Sequence, residues 1–195
     1  MRLTPVLSIV LCVLSGCASA PKIDYYTLGM ESSGRARPQA NLVVERLRTS
    51  EALARSQIMI QVSATRVEYY ATDQWAADVG EQIQRKLAAE FGPPVAGRKN
   101  LTVLGTVLAC EQVDIAGGAE AWMKLAIVIR DPAQARYETP LLEKTYEARL
   151  SVPEASAASV VQGLSKCAEQ IATKIANDVS SADEESGHGR LDSEG

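Results

Sequence analysis

The chain has 195 residues, of which 46% are hydrophobic and only 5% aromatic, with a formal net charge of −4. Residues 181–195 hold Asp183, Glu184, Glu185, Asp192 and Glu194 against Arg190 alone, so this tail carries the whole acidic excess. The remainder is close to neutral, which removes the electrostatic basis for binding nucleic acid, and its length suits one domain around a single core.

Met1-Arg2-Leu3-Thr4 supplies a positive start and Pro5 to Leu14 an apolar run, the pattern of a secretory signal. The run is too short to span a bilayer, which takes about 20 apolar residues. Ala18-Ser19-Ala20 offers an ordinary cleavage site. Leu14-Ser15-Gly16-Cys17 instead resembles the bacterial lipobox, a branched apolar residue and two small residues before a thiol to be acylated. We therefore expect residues 1–16 to be removed, Cys17 to carry lipid, and residues 17–22 to form a short tether. Several acyl chains on one residue, at about 0.8 kcal/mol per buried methylene, make detachment negligible. Ala18, where an inner-membrane retention signal would have Asp, points by resemblance to Gram-negative sorting toward the periplasmic face of the outer membrane rather than the inner one.

Asp24-Tyr25-Tyr26-Thr27-Leu28 reads as a strand close to the anchor, and residues 30–40 as a polar loop. Asn41 to Leu47 reads as a partly buried strand. Ile58, Ile60 and Val62 share one face of a strand that turns near Ser63-Ala64-Thr65 into Arg66-Val67-Glu68-Tyr69-Tyr70, a hairpin. Over residues 73–91, Trp75, Val79, Ile83, Leu87 and Phe91 recur every four positions. That spacing predicts an amphipathic helix, capped by Thr72 or Asp73, ended by Gly92-Pro93-Pro94, with Glu81, Gln82, Arg85, Lys86 and Glu90 facing away.

Leu101 to Cys110 is almost wholly apolar, as expected of a strand covered on both faces. Glu111 to Ile115 extends it and Ala116-Gly117-Gly118 turns the chain. Ala119 to Arg130 and Leu142 to Leu150 alternate, the latter with a wet face. Ser151-Val152-Pro153-Glu154 has the form of a capping box, and Val160, Leu164, Cys167, Ala168, Ile171, Ile175 and Val179 stripe the helix that follows, expected to end near Asn177 or Ser180. Residues 182–195 are expected to be a disordered acidic tail. The order implies an α+β two-layer sandwich over residues 23–181: five or six largely antiparallel or mixed strands, with two long amphipathic helices on one face.

Of the four cysteines, Cys12 leaves with the leader and Cys17 is the lipid site. Cys110 and Cys167 can pair as a disulfide in an exported protein, or sit as two buried apolar thiols that never meet. His188 is the one histidine and falls in the acidic tail, so no triad or histidine metal site is expected in the folded part, and no cofactor pattern is present. Glu111 with Asp114, and Asp73 with Asp78, are the carboxylate pairs a small hydrolase would need, yet charged residues at strand ends and on helix faces are usually solvated. No catalytic residues are assigned. Tyr69, Tyr70 and Trp75 are either packing or interface anchors, and the hairpin from Gln57 to Tyr70 is a candidate edge for pairing with another chain.

Together, the lipobox cysteine, Tyr25-Tyr26-Thr27-Leu28, Gln57-Ile58 to Arg66-Val67-Glu68-Tyr69-Tyr70, and Asp73-Gln74-Trp75-Ala76 resemble the auxiliary lipoproteins of MCE-type ABC transport systems, of which the PqiC-like, membrane-integrity-associated lipoproteins are the best known. The resemblance covers Cys17 to about Val179. It implies a membrane-anchored periplasmic domain, not an enzyme, partnered by an MCE-domain protein and ABC transporter subunits, with phospholipid or another hydrophobic molecule as cargo. Contact of the domain itself with lipid, and homo-oligomers, are compatible with it. The competing reading is a structural or assembly lipoprotein of the envelope, such as a chaperone for an outer-membrane barrel.

Overall fold

The computed structural model of the chain describes residues 20–135 and 138–188. Leu14, Ser15, Gly16 and Cys17 lie outside the described residues, as do residues 189–195 of the acidic tail. The elements in order are β1 (Asp24–Tyr26), β2 (Asn41–Val44), β3 (Arg48–Thr49), β4 (Gln57–Ser63), β5 (Arg66–Trp75), α1 (Val79–Phe91), β6 (Asn100–Ile115), β7 (Gly118–Arg130), β8 (Leu142–Val152) and α2 (Ala157–His188).

The sheet is built on β6. One edge of β6 pairs antiparallel with β7 from Thr102↔Arg130 to Ile115↔Gly118, and β7 pairs with β8 in the same sense. Along the other edge lie β2, β3 and β4 in succession, all parallel to β6, at Asn41↔Asn100, Arg48↔Thr106 and Ile60↔Gln112. Residues 41–61 thus form one interrupted strand with an excursion between β3 and β4. The expected hairpin is β4–β5, and β1 closes it as a parallel edge strand with Asp24↔Asp73 and Tyr26↔Trp75. The result is an open mixed sheet of eight strands among the described residues, in the order β1-β5-β4-β6-β7-β8, with β2 and β3 also against β6. Both helices pack on one face, as the α+β two-layer reading requires; the sheet has more strands than the expected five or six, the two-residue β3 among them not read in the sequence.

Five local expectations are corrected. Helix α1 starts at Val79, capped by the Asp78 carboxylate, which accepts from the Glu81 N–H at 3.0 Å. Trp75 ends β5 instead of opening the helix, because its N–H donates to the Ser56 carbonyl at 2.7 Å and β1 pairs beside it. Helix α2 is led by Ser156, whose carbonyl accepts from the Val160 N–H at 2.9 Å, and not by Ser151, which is still paired with Glu120 in the sheet. The same helix runs on to His188, since no glycine or proline intervenes before Gly187.

The fifth concerns β6, which is covered by helices on one face only. Val107 and Ala109 pair with Leu125 and Lys124, consecutive residues of β7, so Leu108 is an extra residue at a bulge and is 48% exposed. Before the bulge Leu101, Val103 and Val107 point to the helices; after it the parity switches and Cys110 does so. The α2 stripe Val160, Leu164, Cys167, Ile171, Ile175 and Val179 fills the space above β6, β7 and β8. Gly163 sits where α2 crosses closest, for a Cβ there would lie 2.6 Å from the Ala121 Cβ and 3.0 Å from a Val152 methyl.

Candidate functional site

The polar stripe of α1 is where the fold departs most from a simple amphipathic helix. Gln82, Lys86 and Glu90 recur every four residues and are 1%, 1% and 2% exposed, although their polarity predicted an outward face. They clasp the segment that follows β1. The Leu28 N–H donates to Gln82 Oε1 at 3.0 Å, and the Ser33 N–H and hydroxyl donate to the Glu90 carboxylate at 3.0 and 2.6 Å. Lys86 Nζ donates to the Glu31 carbonyl at 2.6 Å, to Glu90 Oε1 at 2.7 Å and to Glu169 Oε1 at 3.2 Å, which uses all three of its protons. From α2, Ser165 Oγ accepts the Gly29 N–H at 2.9 Å. Burial alone would push the Glu90 carboxyl up, but hydrogen bonds from Lys86 and Ser33 hold it below its ordinary value. The segment between tether and β2 is therefore locked across both helices. The recurrence of Gln82, Lys86 and Glu90 at the core's own period is the sequence signal that could have revealed this.

The aromatic candidates do not form one cluster. Trp75 is 5% exposed and belongs to the core. Alternation along β5 sends Tyr69 and Tyr70 to opposite faces. The Tyr69 hydroxyl donates to the Ala52 carbonyl at 3.2 Å, and the Arg55 guanidinium stands 4.8 Å above its ring. The Tyr70 hydroxyl donates to Gln112 Oε1, and burial with the nearby Asp73 and Asp114 charges pushes it up to about 12.

The carboxylate pairs are not brought together either. Glu111 is buried on the open face of the sheet with Oε2 lacking a hydrogen-bond partner, and burial pushes its carboxyl up to about 7 against the opposing pull of the Cys110 backbone and Arg149. Asp114, three residues on and so on the other face, accepts from Gln112 Nε2 at 2.6 Å. Asp73 accepts from the Tyr26 hydroxyl at 2.9 Å within β5, while Asp78 caps α1 and lies 3.5 Å from Arg46. Cys110 and Cys167 are both buried as free thiols, and burial raises Cys167 to about 12 and Cys110 further. No group of His, Cys, Asp and Glu suited to a metal ion occurs among the described residues, and no helix among them is long and apolar enough to cross a membrane.

Among the surface grooves of the described residues, two are candidate binding surfaces. One of about 400 Å³ lies beside β2 at the end of α1, lined by Leu42, Val44, Ala88, Phe91, Pro93 and Val95. Because the Asn41 and Glu45 N–H groups bond to β6 and its approach, the parallel pattern turns the peptide groups of Leu42 and Val44 outward; the Val44 carbonyl accepts from Gln84 Nε2 at 3.0 Å. A second, of about 440 Å³, lies on the open sheet face, with Leu104, Ala126 and Val128 as floor and Arg46, Arg48 and Arg130 around it.

Residues 26–176 match the model of the ABC-type transport auxiliary lipoprotein component. The chain belongs to this family. Membership implies association with the components of an ABC-type transporter, and the family is not one of known enzymes. Among solved structures, the chain is similar to a protein from Xanthomonas campestris at 11% identity and TM-score 0.68, covering 85% of this chain and 99% of that one. It is also similar to an uncharacterized protein at 16% identity and TM-score 0.63, covering 82% and 99%. At these identities the likeness is one of fold. No curated protein matches the chain.

Proposed function

We propose that this auxiliary lipoprotein is acylated at Cys17, held on the periplasmic face of the outer membrane, and works beside an MCE-domain protein and an ABC transporter in moving lipids or other hydrophobic molecules between the two membranes. The observation that carries the reading is the family match over residues 26–176, directly downstream of Leu14-Ser15-Gly16-Cys17. Its role is positional: the domain presents surfaces to a partner and performs no bond chemistry. Two features support that role. The α1 clasp ties the segment after the tether to both helices, so that load on the anchor is delivered to the core, and the groove beside β2 offers an apolar wall with outward-turned peptide groups, the kind of edge an extended partner segment can join.

Metabolic labelling with palmitate tests the anchor. The wild-type chain takes up label and the Cys17→Ser variant does not; equal labelling of the two contradicts the reading. Fractionation of the labelled protein to the inner membrane would contradict its placement on the outer one.

A further inference from the structure

The register of β1 fixes which end of the domain the anchor leaves from. Strand β1 runs parallel to β5, so the chain arrives at Asp24 from the side of the β4–β5 turn, where β5 begins at Arg66. Three connections meet at that end: the β4–β5 turn after Ser63, the β6–β7 turn between Ile115 and Gly118, and the link from Val152 to α2. The opposite end holds Asn100, Arg130, Leu142 and the groove beside β2.

Chain length decides between the two ends. Through Tyr25↔Gln74, Gln57↔Gln74 and Ile60↔Gln112, β1 lies level with about residue 109 of β6. Roughly nine more strand residues lead from there to Asn100, about 30 Å at about 3.3 Å each, whereas the turn at Ile115 is about 20 Å the other way. The seven residues from Cys17 to Ile23 reach at most about 25 Å, and the chain enters β1 from the side of that turn. The far end is out of reach of an acylated Cys17, and the turn end is within it.

That end also exposes apolar side chains at its tips. Val67 is 49% exposed, Ile115 43% and Ile23 42%. Val67 pairs with Gln61 and Gln61 with Val113, two residues before Ile115, so Val67 and Ile115 stand on the same open-face rim two strands apart. Beside Val67 and Ile115, Arg66 is paired with Glu68 and Asp114 accepts from Gln112, which lowers the cost of bringing this part of the rim to a headgroup layer.

We propose that the domain stands with its turn end against the bilayer that carries its anchor, Val67 and Ile115 touching the headgroup–acyl boundary, and with the groove beside β2 directed away from that membrane. The inference deepens the proposed function and rests on acylation of Cys17. Cysteines introduced one at a time as Val67→Cys, Ile115→Cys and, at the far end, Val95→Cys take an environment-sensitive fluorophore while Cys110 and Cys167 stay buried. The full lipidated protein is reconstituted in phosphatidylcholine–phosphatidylethanolamine vesicles containing nitroxide-labelled lipid, and its acyl mass is verified. Quenching and blue-shifted emission several-fold greater at positions 67 and 115 than at 95 support the orientation. Equal quenching at all three, greater quenching at 95, or none at 67 and 115 in protein of verified acyl mass overturns it. Absence of acyl mass on Cys17 overturns the anchoring reading, and this inference falls with it.

Discussion

Lys86 Nζ lies 2.7 Å from Glu90 Oε1, one helical turn away on α1, and both side chains are withdrawn from water. A buried ion pair repays its desolvation only when the remaining hydrogen-bonding capacity is filled, and here the Glu31 carbonyl, Glu169 and Ser33 fill it. The pair is thus the lock on the segment between tether and core. Lys86→Ala leaves Glu90 buried and unpaired and should cost about 3–5 kcal/mol in chemical denaturation. Native-state hydrogen exchange should show Leu28 to Ser33 losing protection before α1 does. Lys86→Met combined with Glu90→Leu should recover part of the stability but not the protection of Ser33. Unchanged exchange in the single variant would show that the clasp does not hold the segment.

Glu111 sets a pH dependence. In the unfolded chain its carboxyl ionises near 4.5, and in the fold, desolvated with Oε2 unpartnered, near 7. The folded state binds this proton more tightly, so the group's contribution is fully present below the unfolded value and is lost as pH rises through 7. Glu111→Gln carries no charge at either extreme. Relative to wild type it should be near neutral at pH 4 and more stable at pH 8, by roughly 3 kcal/mol at most. Thermal melts of the two proteins across that range check this, and a difference independent of pH would refute it.

Gly163 tests the packing of α2. Alanine is the better helix former by about 1 kcal/mol, so helix propensity alone predicts that Gly163→Ala stabilises. The added methyl would meet Ala121 and Val152 at 2.6 and 3.0 Å, and overpacking costs about 1–3 kcal/mol. The variant should therefore unfold at lower denaturant concentration than wild type.

The two core thiols give a chemical readout. Buried and held protonated, Cys110 and Cys167 should be inert to a thiol reagent in the native protein. Both should titrate on unfolding without reductant. A disulfide would leave neither.

Period carried much of this structure in the sequence. The alternation in β7 and β8 and the stripe of α2 were legible because each buries one face against the other layer. Trp75 was misread for the same reason: it stands four residues before Val79 and extends the helical count backward, although β1 holds it in a strand. The switch of parity at Leu108 was not legible, because a nearly continuous apolar run reads alike in either register, and it decides that Cys110 faces α2 while Glu111 does not. Lys86 and Glu90 were misread because polarity alone says nothing of a partner: the groups that bury them, Glu31, Ser33 and Glu169, are distant in sequence. Glu111 was noticed for the wrong partner, since Asp114 lies on the other face and its own second oxygen has none.

The central claim concerns company rather than chemistry, and in-cell crosslinking followed by purification of the tagged full-length chain tests it most directly. Mass spectrometry of the wild-type sample should recover an MCE-domain protein together with ATPase or permease subunits, and recovery should fall in Cys17→Ser although the domain still folds. A sample that yields no transporter subunit, or a β-barrel assembly partner in their place, would contradict it.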